Sequence, residues 1–266
     1  MSDNATPITQ WPRTLWRLCV LIGTALQYRA QYLLLRSAGP LSAGRRAQWL
    51  HICCRTALQR LHIPIDVQGN FPSRGLLVAN HLSYLDILVF SALSPCAFVA
   101  KKEVRSWPMF GAMAAMSGTV FVDRSRTTDT QRAKDEMLQA LSSGSVLVLF
   151  PEGTSSDGSS VLPFRPALFE AAVAAGAPVS SAHISYQADD GSVANDICYW
   201  GGMTFLPHLL RLLSRRGVRA RVQFASEAKR FDDRKLAANV TREMVLTLAG
   251  CEKPQGWYQG MPSSLP

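Results

Sequence analysis

The chain is short of three things: cysteines in metal-binding pairs, long uncharged apolar runs and acidic residues. Its six cysteines, at positions 19, 53, 54, 96, 198 and 251, include no C-x-x-C pair and have no histidine at ligand spacing. Neither a zinc site nor a secreted disulfide framework is suggested, and the simpler reading is a reducing, cytoplasmic setting with each cysteine a small buried apolar side chain. The G-x-x-x-x-G-K run is absent, which argues against nucleotide hydrolysis, and so is the G-x-S-x-G elbow of serine hydrolases. No helix-turn-helix or base-stacking signature accompanies the positive charge, so nucleic acid is not an expected partner. There is no repeat at a period of 20–50 residues.

The shortage of acids leaves 28 Lys and Arg against 19 Asp and Glu, a net charge of +9 over 266 residues. Such an excess suits an anionic partner: a lipid surface, a phosphorylated substrate or an acidic carrier protein. The length fits one large domain with an N-terminal extension. Residues 1–62 read as a helical membrane-anchoring segment, 63–250 as the domain, and 251–266, rich in Pro, Gly and Ser, as a tail in which only Trp257 and Tyr258 invite docking.

Within the extension, residues 11–36 have helical character, but the uncharged stretch runs only from Leu18 to Tyr28, far short of the roughly 20 residues a spanning helix needs. It ends in Gln27-Tyr28-Arg29 without a small-residue cleavage site, so a signal peptide is disfavoured too. Arg29 and Arg36 share a helix face, while Trp11, Trp16, Tyr28 and Tyr32 supply rings suited to the water–lipid boundary. The expectation is a monotopic anchor, a helical hairpin with 45–62 as its second arm.

From residue 64 short apolar runs alternate with longer periodic segments. Strands are expected at 64–68, 75–79, 96–100, 119–122, 145–150, 178–185 and 219–225, and helices at 84–93, 107–117, 127–142, 166–175, 204–216 and 233–249, the last capped by Gly250. This is an α/β pattern: a layered mixed sheet flanked by helices, with ligands gathered at strand carboxyl ends. The loops after 75–79 and 145–150 are therefore the places to look.

The first loop reads VANHLSYLD, residues 78–86. On one continuous helix His81 and Asp86 would point about 140° apart, so they meet only if His81 precedes the helix. Ser83 and Asp86 form a Ser-x-x-Asp capping pattern that places Ser83 at the N-cap and His81 in the preceding turn. A carboxylate there fixes the imidazole tautomer and leaves the other ring nitrogen as a base. The competing reading is a helix cap beside a surface histidine. The second loop, LFPEGTSSDG at 149–158, offers a glycine turn for close approach to an anion. A third segment, GTVFVDRS at 118–125, ends a short strand in Asp123-Arg124, and arginine there suits phosphate or carboxylate.

N-H-x-x-x-x-D at 80–86, G-x-x-F-V-x-R at 118–124, F-P-E-G-T at 150–154 and a looser Ala-Pro-Val at 177–179 stand in the order found in the glycerolipid acyltransferase family. The chain resembles a 1-acylglycerol-3-phosphate acyltransferase over roughly 65–225. That resemblance implies His81 as general base, Asp86 as its partner, and Asn80, Gly118, Arg124, Glu152, Gly153 and Thr154 as substrate-binding residues, the last four at the acceptor's phosphate. It also implies a lysolipid acceptor and an acyl carrier protein or coenzyme A thioester as donor. No covalent enzyme intermediate, cofactor or metal is implied, and the setting would be the cytoplasmic face of the inner membrane. Physically, Arg124 and the loop amides suit an anion, whereas Glu152 does not and is better placed to orient Arg124 or the loop.

Where many relatives have Glu-Gly-Thr-Arg-Ser, this chain has Ser155 in the arginine's place, leaving Arg126 and Arg165 as substitutes. The stretch EGTSSDGSSVLPFRPALF is similar to the branch that includes lyso-ornithine lipid O-acyltransferases. The expected product is phosphatidic acid, with lyso-ornithine lipid as the alternative acceptor. The uncharged segment 106–122, with Met109, Met113 and Met116 at helical spacing, suits an acyl groove, although a core helix would carry the same stripe. Lys101, Lys102 and Arg105, and the group Arg211, Arg215, Arg216, Arg219 and Arg221, suit anionic lipid or carrier protein, or are simply solvated faces. Two other classes compete: a hydrolase using Ser83 or Ser155, and a non-enzymatic anionic-lipid-binding protein.

Overall fold

The computed structural model describes residues 10–107, 110–123 and 127–250, with 127–130 by backbone alone. Helices α1 (Trp11–Ser37) and α2 (Ala43–Arg60) precede an α/β unit. Its strands are β1 (Ile65–Gln68), β2 (Gly75–Ala79), β3 (Ala97–Lys101), β4 (Val120–Val122), β5 (Val146–Leu149), β6 (Val179–Ala188) and β7 (Val218–Phe224). Its helices are α3 (Leu85–Leu93), α4 (Phe110–Ser117), α5 (Thr127–Ser142), α6 (Glu170–Ala174), α7 (Phe205–Ser214) and α8 (Arg234–Leu248).

Among the described residues the strands form one sheet in the order β1-β7-β6-β2-β5-β3-β4. Only β6 and β7 are antiparallel neighbours, so the sheet is mixed as expected. The central strands β2 and β5 are buried along their whole length, the mark of parallel strands covered on both faces. Side chains alternate between two cores: Leu77 and Ala79 face the layer holding α2, α3 and α7, while Leu76 and Val78 face α5, α6 and α8.

Each expected strand is present within a few residues. Two helices differ. The segment expected at 166–175 divides into a 3-10 turn (Pro166–Phe169) and α6, and a π-helical turn at Val193–Ile197 was not foreseen. Strand β6 runs on to Ala188 because β7 pairs with it that far. Gly250 follows α8 with φ +74°, a left-handed stop that its missing Cβ permits. Cys53, Cys54, Cys96 and Cys198 are buried, but Cys19 is exposed on α1, against expectation. Residues 1–9, Met109, Cys251 and the tail lie outside the described residues.

Helices α1 and α2 form the expected hairpin. The Trp49 indole donates to the Tyr28 carbonyl at 3.0 Å, and the Tyr28 and Thr56 hydroxyls meet at 2.8 Å. Arg13 and Arg17 fasten α1 to the domain through carbonyls between Leu213 and Arg216 at the end of α7. The outward face of α1 leaves Trp11, Leu15, Trp16, Ile22, Leu26, Leu33, Leu34 and Leu35 exposed. Against the expectation of a segment too short to span, α1 as a 27-residue helix is long and apolar enough to cross a membrane by length and composition alone, a test that a buried core helix also passes.

Candidate active site

The chain leaves β2 at Ala79, and Asn80 anchors that exit. Its side-chain amide donates to the Ile184 carbonyl at 2.9 Å and its oxygen accepts the Ile184 amide at 2.8 Å, so it clasps β6 and faces away from the cavity. His81 follows in the turn before α3. Its Nδ1 meets Asp86 Oδ2 at 2.7 Å, and the side chains are 21% and 0% exposed, a dry carboxyl behind an accessible ring. Asp86 Oδ2 also accepts the amides of Leu82 and Ser83 at 2.7 and 3.0 Å, and Oδ1 accepts the Tyr186 hydroxyl at 2.6 Å. With these donors converging on the carboxyl, Asp86 is arranged to accept from Nδ1–H, the tautomer that leaves the Nε2 lone pair free.

Half of the expected capping box is made. Asp86 accepts the Ser83 amide, but the Ser83 hydroxyl caps nothing: it is buried without a hydrogen-bond partner, and α3 begins at Leu85. The Asp86 amide that a Ser83 cap would serve donates instead to the Ser83 backbone carbonyl at 3.1 Å.

The second loop locks onto the first. The Ser156 amide donates to the His81 carbonyl at 3.0 Å, and Phe150 stacks on the His81 ring with centroids 4.2 Å apart. Glu152 is buried and its Oε1 accepts the His81 amide at 3.2 Å, while Oε2 takes no hydrogen bond. Burial, reinforced by the nearby Asp86 charge, outweighs the lowering effect of the His81 and Leu162 amides and the Arg242 charge, and pushes the Glu152 carboxyl up to about 8. Its carboxyl therefore supports the His81 backbone and does not line the cavity. Gly153, with φ +70°, gives its amide to the Phe150 carbonyl, and it lines the cavity together with Thr154. Gly118 has φ +85°, and a Cβ there would come within 3.1 Å of the Arg46 guanidinium. Arg124 and Arg126 lie outside the described residues, and Arg165 donates to the Glu152 carbonyl at 3.2 Å.

Ser155 donates its hydroxyl to the Tyr199 carbonyl, and the Tyr199 amide donates to the Leu82 carbonyl at 2.7 Å. Neither Ser83 nor Ser155 bonds His81, so neither is arranged as a nucleophile beside a base. His81 opens onto a cavity of 310 Å³ walled by α1, α2, α3 and α4, among them Leu21, Leu50, Cys53, Leu88 and Met113. The surroundings are apolar and the basic nitrogen sits at the wall, which suits proton removal from an alcohol held beside a hydrocarbon chain. Sequence reading missed Tyr186, Tyr199 and the α1 and α2 wall. No local pattern marks them, since each reaches the site across at least a hundred residues of chain or from another layer.

The sequence model of the acyltransferase family, described as "Acyltransferase", matches residues 64–185. The chain is 39% identical over 161 residues to a lyso-ornithine lipid O-acyltransferase of Brucella abortus, covering 56% of this chain and 60% of that one, under two thirds of its length. It is 33% identical over 194 residues to a 1-acyl-sn-glycerol-3-phosphate acyltransferase of Neisseria meningitidis, covering 68% and 72%. The crystal structure of the LPA acyltransferase PlsC from Thermotoga maritima shares the fold with a TM-score of 0.65 at 21% identity, over 93% of this chain and 99% of that one.

Proposed function

This chain belongs to the acyltransferase family, and on that premise we propose that it moves a fatty acyl group from a thioester to the hydroxyl of a lysolipid at a membrane surface. The observation that carries the reading is the 2.7 Å bond from His81 Nδ1 to Asp86, on the wall of an apolar cavity. His81 Nε2 takes the proton of the lysolipid hydroxyl while that oxygen attacks the thioester carbonyl. Asp86 steadies the imidazolium so formed. Collapse of the tetrahedral intermediate expels the thiolate of coenzyme A or acyl carrier protein, which recovers the proton, leaving an ester and a free thiol. The cavity between α1, α2 and α4 takes an acyl chain, and the exposed apolar face of α1 lies against lipid.

The acceptor head is a lyso-ornithine lipid in preference to 1-acylglycerol-3-phosphate. The position that bears arginine in many relatives is Ser155, whose hydroxyl is spent on the Tyr199 carbonyl and offers no charge to a phosphate. The relative from Brucella is named for the lyso-ornithine acceptor. The test gives purified protein in mixed micelles an acyl thioester and each lysolipid in turn, and weighs the products by mass spectrometry. Acylated ornithine lipid as the main product is expected. Phosphatidic acid alone would reverse the acceptor and keep the chemistry, and no acylated product with either would overturn the reading.

A further inference from the structure

Asp86 receives one contact that neither its own loop nor its own helix supplies. Oδ2 gathers the His81 ring and the amides of Leu82 and Ser83, all close in the chain. Oδ1 is left to a single donor, the Tyr186 hydroxyl at 2.6 Å, 100 residues further along. Both side chains are buried, and a carboxylate only accepts, so the hydroxyl donates. Burial and then the adjacent Asp86 charge hold the Tyr186 hydroxyl well above its ordinary range, so it stays a donor at any working pH.

The register of the sheet explains how this contact is reached. Ala182 lies opposite Ala79 where β6 pairs with β2. Two residues on, Ile184 is clasped by Asn80, and two further on Tyr186 points to the same face of the strand. One strand thus grips the catalytic segment twice, at Asn80 before His81 and at Asp86 after it. The terminal torsion of an aspartate is broad, so a carboxyl held through one oxygen can still swing. Held through both, it cannot.

We propose that Tyr186 is a positioning residue for acyl transfer: its hydroxyl fixes the Asp86 carboxyl so that Oδ2 stays aimed at His81 Nδ1. The assignment rests on His81 acting as the base. Tyr186 touches neither substrate nor ring, and its effect passes wholly through Asp86. Its loss should therefore slow turnover and leave substrate binding alone.

The experiment compares the full-length wild type with Tyr186→Phe in kcat, in KM for donor and acceptor, and in thermal unfolding. The expected result is a kcat lower by about tenfold, as for loss of one hydrogen bond to a charged group, with both KM values within twofold and the native circular dichroism spectrum intact. A kcat within twofold of wild type would overturn the proposal. So would a fall in kcat accompanied by equal losses in KM and unfolding temperature, which is the signature of a packing role. Should the Phe variant not fold, 4-aminophenylalanine, which donates, is compared at position 186 with 4-fluorophenylalanine, which cannot. A higher kcat for the donor supports the assignment, and equal rates overturn it. If His81→Ala loses transfer while Tyr186→Phe matches wild type, only the Tyr186 assignment falls. If His81→Ala keeps the wild-type rate, the base reading falls and takes Tyr186 with it.

Discussion

Two buried carboxyls stand behind the His81 ring, and the chain supports them in opposite ways. Asp86 has donors on both oxygens, two of them amides from its own turn. Glu152 is just as dry, yet it has one amide on one oxygen and nothing on the other, and its carboxyl is pushed up to about 8. The difference teaches that burial alone does not make a charged partner for a base. Converging donors do, and they are found at the residue on which the imidazole leans.

The comparison breaks most readily at Asp86. Asp86→Asn puts an amide where four donors converge, so it should lower kcat by about a thousandfold, an effect of the size expected when a base loses its orienting carboxylate. Steady-state rates on purified, folded variant check this, and a loss below tenfold would place the proton acceptor elsewhere.

Glu152→Gln keeps the acceptor oxygen for the His81 amide and removes only the proton exchange, so kcat should fall by less than about tenfold. It sharpens the contrast through pH. A carboxyl raised from 4.5 to about 8 by folding holds its proton in the native state while the unfolded chain has released it. Native stability therefore falls as pH rises through that window, and is fully present only below it. The wild-type unfolding temperature should decline between pH 5 and pH 8 more steeply than that of Glu152→Gln, as read by calorimetry. Parallel slopes would mean that the Glu152 carboxyl ionises freely.

The smallest effect is expected at Ser83. Its hydroxyl is buried without a partner, so Ser83→Ala removes an unsatisfied group and should leave stability unchanged or raise it by up to about 1 kcal/mol. A working N-cap would instead lose about 1 kcal/mol on the same change. Denaturant midpoints separate the two, and transfer activity should be unaffected.

Much of this was legible in the chain. Strands β2 and β5 declare themselves as unbroken apolar runs because both their faces are covered, and the five-residue spacing of His81 and Asp86 requires a turn that the fold supplies. What could not be read are the contacts made across layers. Asn80 was expected to hold substrate, yet its amide spans to Ile184, and the grip of Tyr186 on Asp86 depends on β6 lying beside β2, a pairing that no local pattern announces. Ser83 shows the opposite limit. Its motif is a capping pattern, and Asp86 does accept the Ser83 amide while holding His81, but the Asp86 amide goes to the Ser83 carbonyl and the hydroxyl is left without a partner.

The most direct test of the central claim is the rate of acyl transfer from thioester to lysolipid by purified His81→Ala beside wild type, each shown by circular dichroism to be folded. The expected result is a loss of about a thousandfold or more with native structure kept. Transfer within twofold of wild type would contradict it, and with it the assignment of His81 as the base.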